Sequence, residues 1–112
     1  MKQEIIFAQQ VGLGAAGANA DRGVGNSKDF VAFLDVTAKT GTTPTLDVKF
    51  QEWDEASATW YDITSAAFAQ ANDISNERIT FSTNAFRIRC VQAIGGTATP
   101  TFDFTVGASG TS

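Results

Sequence analysis

An alternation of apolar and polar residues between positions 30 and 50 constrains the fold of this chain more than any other feature. In both halves of the segment a run of even positions is apolar: Phe30, Ala32, Leu34, Val36 and Ala38, then Leu46, Val48 and Phe50. A period of two puts one set of side chains on one face of a β-strand, whereas a helix needs a period of 3.6. Gly41 and Pro44, set among threonines, are turn residues. The segment therefore predicts two strands and a turn, a β-hairpin.

The composition fits a single domain with a real core. The chain has 112 residues, 43% of them hydrophobic, and nine are phenylalanine. A domain of this size buries roughly two thirds of its unfolded surface. It therefore needs no disulfide, and its single cysteine, Cys90, can form none within the chain. Cys90 lies between Arg89 and Val91 in a strand-like segment, where a thiol packs as a small hydrophobe.

Charge and residue types narrow the function classes. The sequence has no histidine, which is the commonest general base and metal ligand. Eight scattered Lys and Arg residues against twelve Asp and Glu residues give a net charge of −4, which disfavours binding to a phosphate backbone. No apolar run has the length of a membrane span, and the first ten residues lack the uncharged core of a signal peptide. We expect no cofactor, no direct nucleic-acid partner and no membrane.

Residues 12–27 form a glycine- and alanine-rich segment with little to bury. Gly12, Gly14 and Gly17 match the G-x-G-x-x-G dinucleotide fingerprint, but the residues that follow are too few and too rich in glycine to form the crossover helix. A loop or extended arm is the better interpretation. The sequence thus divides into an N-terminal strand and arm (1–29), a β-sandwich core (30–107) and a flexible tail (108–112).

Several carboxylates invite a metal or catalytic interpretation. Glu52, Asp54 and Glu55 are close in sequence and could offer oxygens to a hard cation, although their spacing fits no EF-hand loop. Asp47 and Asp103 could be imagined as a hydrolase pair, but both occupy the exposed face of similar strands, without the unequal environments that acid and base roles require. The residues predict neither a metal site nor a catalytic site.

Three aromatic residues flank an acidic turn: Trp53, Trp60 and Tyr61. They could form a stacking platform for a glycan, or they could close the end of the core with their polar tips left wet. The next segment, 63–76, is ambiguous. Its alanines have helical propensity, but the run is short, so a strand or an irregular crossover is as good an interpretation.

The C-terminal third repeats features of the centre. Residues 78–82 and 86–90 alternate as strands with Arg87 and Arg89 on the polar side, where acidic residues of other strands could pair with them: Asp35, Asp47 and Asp103. Residues 96–104 repeat the order Pro-Thr-apolar-Asp-apolar of residues 41–48. The whole pattern predicts an all-β chain, a single antiparallel β-sandwich, Ig-like or jelly-roll-like, of about seven to eight strands.

The order of several segments resembles small structural proteins of tailed bacteriophages. The segments are DVTA (35–38), TPTLDV (43–48), WYDI (60–63), FRIR (86–89) and GGT (95–97). The resemblance covers roughly residues 30 to 107. It implies a non-enzymatic virion protein, most plausibly a head decoration or minor capsid protein that binds the major capsid lattice.

Under that resemblance the partners are the major capsid protein or other virion proteins, and the chain can also form a small homo-oligomer. The expected location is the virion, after synthesis in the host cytoplasm. Exposed apolar residues are the candidate partner interface: Ile5, Ile6, Phe7 and Phe33. The alternative is a carbohydrate-binding or tail- or fibre-associated β-sandwich module that uses Trp53, Trp60 and Tyr61.

Overall fold

Seven β-strands make up the described part of the chain. The computed structural model describes residues 2–14, 16–19 and 21–111, and for residues 2–9 and 11 it describes the backbone alone. The strands are β1 (Lys2–Leu13), β2 (Gly17–Ala18), β3 (Arg22–Gly23), β4 (Asp29–Asp54), β5 (Thr59–Ala67), β6 (Ser75–Ser82) and β7 (Arg87–Thr111). Every pairing between these strands is antiparallel. The all-β prediction is confirmed, and the described residues contain no helix that could span a bilayer.

A long two-stranded ribbon forms the centre of the fold. β4 and β7 pair from Asp29 with Thr111 to Glu52 with Ile88. In what we term the first layer, residues 29–40 and 101–111 of the ribbon lie between β1 and β6. In the second layer, residues 45–54 and 87–95 lie between β2 and β3 on one side and β5 on the other. The sheet is continuous through the ribbon, and its two layers face each other.

The predicted hairpin within residues 30–50 is wrong. Its two halves do not pair with each other, because both pair with β7. The glycine and proline mark a corner at which the ribbon folds. Gly41 has φ +96° and Gly96 has φ +121°, a conformation that favours glycine. A Cβ on Gly41 would lie 2.8 Å from the Cα of Pro100, and one on Gly96 would lie 3.0 Å from the Cα of Pro44. The two similar sequence segments are therefore the two sides of one corner.

The buried faces of the two layers form one core. Alternation selects the even positions of β4 and of β7, as the sequence predicts. Phe81 of the first layer joins the layers, since its ring centroid lies 5.3 Å from that of Phe30 and 5.0 Å from that of Phe50. Phe50 also packs against Phe68, at 6.1 Å. Cys90 is fully buried here, as expected of a small hydrophobe.

The arm closes one open side of the core, so the prediction that it has little to bury is wrong. Val24 is fully buried. The backbone N–H of Asn19 donates to the carbonyl of Cys90 at 3.0 Å, and its Nδ2 donates to Oε1 of Gln92 at 2.5 Å. On the opposite side, Leu46 and Ala71 exchange two backbone hydrogen bonds. Val24 and Ala71 thus add to the core from opposite sides, and both are buried.

The C-terminal segment also differs from the expected flexible tail. Residues 108–111 complete β7, and Ala108 pairs with Ile5 on one side and with Ala32 on the other. The small residues make room for the core, because a Cβ on Gly110 would lie 2.6 Å from the Phe30 ring. Composition alone suggested disorder, whereas a strand between two neighbours is fixed by backbone hydrogen bonds on both sides.

Candidate functional site

The outer face of the first layer exposes apolar side chains. Val31 and Phe33 occupy odd positions of β4, opposite to the buried Phe30, Ala32 and Leu34, and they are 43% and 37% exposed. Val31 pairs with Thr80 and Ser109, and Phe33 pairs with Arg78 and Gly107. The short residues Gly107 and Ser109 of β7 leave the two apolar side chains partly exposed. We refer to this surface as the β4 face: Val31, Phe33, Asp35, Arg78, Thr80, Thr105, Gly107 and Ser109.

A shallow groove of about 430 Å³ begins at this face. Its walls combine the apolar Val31, Phe30 and Phe81 with hydroxyl groups of Thr80, Ser82, Ser109 and Thr111. Asp29 is the one ionisable residue in this lining, and its Oδ1 accepts a hydrogen bond from the Ser82 hydroxyl at 2.7 Å. Such a lining suits packing against another surface better than chemistry on a substrate.

The predicted interface residues of β1 lie beside the part of β7 that pairs with Phe33. Ile6 pairs with Gly107, which in turn pairs with Phe33, so three neighbouring strands contribute to one row. Ile5 pairs with Ala108, and Phe7 lies at a register shift between Ile6 and Ala8. The side chains of Ile5, Ile6 and Phe7 are outside the part of the chain that is described. Phe33 is exposed, and its role as an interface residue stays a prediction.

The three aromatic residues of the proposed glycan platform do not form one surface. Trp53 pairs with Trp60, and the ring centroids lie 5.2 Å apart at an interplanar angle of 55°. The Arg89 guanidinium lies 4.4 Å over the Trp60 ring. Tyr61 pairs with Glu52 and therefore belongs to the opposite face of β5. A flat platform of all three is thus ruled out by strand geometry.

Polar side chains continue the second layer's outer face as a connected network. Lys49 Nζ and Gln51 Nε2 donate to the Asp62 carboxylate at 3.0 Å and 2.9 Å. Arg89 Nε donates to Oε1 of Gln51 at 2.9 Å. The hydrogen bonds from Gln51 and Lys49 lower the pKa of Asp62 below its ordinary value. The network holds these side chains against one another rather than toward a ligand.

The arginine partners differ from those expected. Arg87 pairs with Asp21 of the arm, whose pKa is lowered by that hydrogen bond, and Arg89 bonds Gln51. Asp47 instead accepts a hydrogen bond from Gln70 at 3.0 Å, and Asp103 accepts one from the backbone N–H of Gly12 at 2.6 Å. Asp47 and Asp103, which the sequence does not favour as a hydrolase pair, lie in different layers and have separate partners. Asp21, Gln70 and Gly12 supply most of these contacts. Asp21 and Gln70 lie outside the strands and Gly12 lies at a register shift in β1, positions that the alternation of residues does not predict.

The other candidate sites show structural roles. Glu52 accepts a hydrogen bond from the Thr83 hydroxyl at 2.9 Å and Asp54 accepts one from Ser57 at 2.6 Å, which lowers the pKa of Asp54. Within the described ranges, no three acidic or thiol side chains come together as a metal site. Burial raises the pKa of the Cys90 thiol to about 11, so it stays protonated at neutral pH. Gly17 lies in β2, and the described residues that follow it contain no helix, so the dinucleotide fingerprint is coincidental.

Fold and surface together define a β-protein with two exposed apolar side chains on one outer face and no assembled reactive centre in the described part of the chain. The sequence matches no protein-family model and no curated protein. Among solved structures, the SPBc2 prophage-derived protein YomS superposes with a TM-score of 0.68 at 13% identity, covering 100% of this chain and 94% of that chain.

A protein of Bacillus endospore appendages, described as a novel family of disulfide-linked pili, superposes with a TM-score of 0.54 at 14% identity. That match covers 99% of this chain and 87% of the other. At these identities the two likenesses establish a shared fold, over nearly the full length of all three chains.

Proposed function

We propose that this chain is a non-enzymatic structural protein of a phage particle, most specifically a decoration protein that binds the major capsid lattice. The observation that carries the proposal is the full-length fold shared with a prophage-derived protein. The likeness to a subunit of endospore pili supports a role in multi-subunit assembly. Under this proposal the mature location is the virion.

The surface chemistry supports assembly over catalysis. The β4 face offers exposed apolar area, which is typical of surfaces that bind other proteins. The groups that could have reacted are engaged: Cys90 is buried and protonated, and Asp47 and Asp103 hold structural hydrogen bonds in separate layers. A disulfide linkage of the kind named for those pili does not suit this chain, because its single cysteine, Cys90, is buried.

Binding to phage heads tests the proposal directly. The purified protein is run on size-exclusion chromatography with light scattering, alone and after mixing with heads of the encoding phage that lack it. Co-migration with the heads is the expected result. The same run with isolated tails serves as the comparison, since binding to tails without binding to heads would overturn the capsid assignment and favour a tail or connector component. A folded protein that binds neither particle would overturn the structural role.

A further inference from the structure

Two opposite charges on the β4 face have no partner among the described side chains. Neither the Arg78 nor the Asp35 side chain makes a hydrogen bond or ion pair with any of them, whereas Asp21, Asp62 and Asp73 each pair with a cation. Both groups adjoin the exposed Phe33. Arg78 lies directly across from Phe33 on β6, and Asp35 is the next residue of β4 on the same face.

These three residues form a triangle with a useful symmetry. Adjacent strands are about 4.8 Å apart, and same-face residues of one strand are about 6.8 Å apart. Phe33 is therefore closer to Arg78 than to Asp35, and the two directions are nearly perpendicular. A two-fold axis in the plane of the face, midway between Arg78 and Asp35, places each Arg78 over the other copy's Asp35. The same operation brings the two Phe33 side chains nearly over one another.

The rest of the face accommodates this arrangement. The two-fold operation crosses the strands of the two copies at a steep angle, close to the orthogonal class of sheet packing. It carries Val31 of each copy past the short residues Gly107 and Thr105 of the other copy, to a position between β7 and β1. Each contact is made twice, as in any self-complementary dimer.

The area of the face sets the expected strength. Eight paired residues per strand and four strands give a face of about 26 Å by 19 Å, and two such faces that cross steeply overlap over about 400 Å² per copy. A total of about 800 Å² is in the range of weak, transient protein contacts. The association should therefore depend on concentration and strengthen when copies are held close together on a particle.

We propose that the β4 face is a self-association surface, on which a second copy of this chain docks through Phe33 and through reciprocal Arg78–Asp35 ion pairs. This goes beyond the proposed function, because it concerns the chain in solution and does not require a capsid. A different protein partner on the same face is the alternative that the experiment distinguishes.

Charge reversal in a concentration series tests the contact. By sedimentation velocity, the full chain should shift from its monomer mass of 11.8 kDa to twice that mass as concentration rises. Phe33→Asp should weaken the dimer by about tenfold or more, since it places a charge at the centre of the contact. Asp35→Arg and Arg78→Asp should each do the same by setting like charges against each other.

The double variant Asp35→Arg/Arg78→Asp is the decisive test. In it, positions 35 and 78 of the two copies again carry opposite charges across the contact. It should recover the dimer. Phe86→Asp is the matched control: Phe86 is 67% exposed but lies outside the β4 face, so its substitution should leave the dimer unchanged. Thermal unfolding of each variant shows that it is folded.

Three outcomes would overturn the inference: a monomer at every concentration, a dimer that survives Phe33→Asp, or a double variant that stays monomeric. A monomeric wild type whose head binding is lost in Phe33→Asp would assign the face to the capsid and leave the proposed function intact. Failure of head binding with an intact dimer would instead overturn the capsid assignment and leave the self-association surface in place.

Discussion

The two layers share one ribbon, yet their outer faces differ. On the second layer, Trp53 and Trp60 pack on each other, and Arg89, Gln51, Asp62 and Lys49 satisfy one another. On the first layer, Phe33 is exposed and the neighbouring Arg78 and Asp35 have no described side-chain partner. One face completes its contacts within the chain, and the other leaves them for a second surface. The first layer's outer face is therefore the candidate surface for binding another molecule.

The largest expected effect is on stability, from a substitution at Phe50 in the core between the two layers. Phe50→Ala deletes the ring that contacts Phe81 of the first layer and Phe68 of the crossover, so it should lower the free energy of unfolding by about 3–5 kcal/mol. Chemical denaturation measures the loss. Phe86→Ala, at an exposed phenylalanine, should change stability by less than about 0.5 kcal/mol. Similar losses at both positions would contradict the assigned core.

The corner that superposes the layers is the next most sensitive point. Gly41→Ala should cost about 2–4 kcal/mol, because it adds a backbone clash with Pro100 to an unfavourable φ. Gly25→Ala is the matched control, since Gly25 also has positive φ but nothing lies within 4 Å of the position that a Cβ there would occupy. It should cost only about 1 kcal/mol. Equal losses in thermal or chemical unfolding would mean that the corner has no steric constraint.

A smaller loss of stability is expected from a substitution on the outer face of the second layer. Arg89→Ala removes the cation–π contact with Trp60 and the hydrogen bond to Gln51, and should cost about 1 kcal/mol of stability. It should leave the dimer mass unchanged, unlike substitutions on the β4 face.

A tryptophan-fluorescence titration of the wild type with a panel of polysaccharides addresses the glycan-binding alternative. A saturable shift that Trp60→Ala abolishes would revive that alternative.

The smallest expected effect is the pH dependence of the second layer's network. Hydrogen bonds from Gln51 and Lys49 lower the pKa of Asp62 in the folded state from its ordinary value of 3.8. Their stabilising contribution is therefore present above pH 3.8 and is lost as the pH falls through the lowered folded-state value. Asp62→Asn should flatten the acid limb of stability against pH, and added salt should shrink the difference because the site is exposed. An unchanged acid limb would contradict the network.

Much of the local structure follows from the sequence. Alternation in residues 30–38 and 46–50 predicts the strands and their inward side chains, because a period of two assigns faces without knowledge of the neighbouring strand. The same alternation predicts that the Phe33 side chain, at an odd position, lies on the outer face. The burial of Cys90 follows from its position in a similar segment.

Tertiary structure decided which strands meet. Residues 30–38 and 46–50 are close in sequence but pair with β7, forty or more residues away, and the register shifts at the corner bring Gly41 against Pro100 and Gly96 against Pro44. It also turned a glycine-rich arm into a cover over Val24 and a tail of small residues into a strand packed on Phe30. Composition reports what a segment can bury by itself. Pairing and burial among distant segments depend on hydrogen bonds and space that the rest of the chain supplies, and those also decide that Arg78 and Asp35 remain without a described partner.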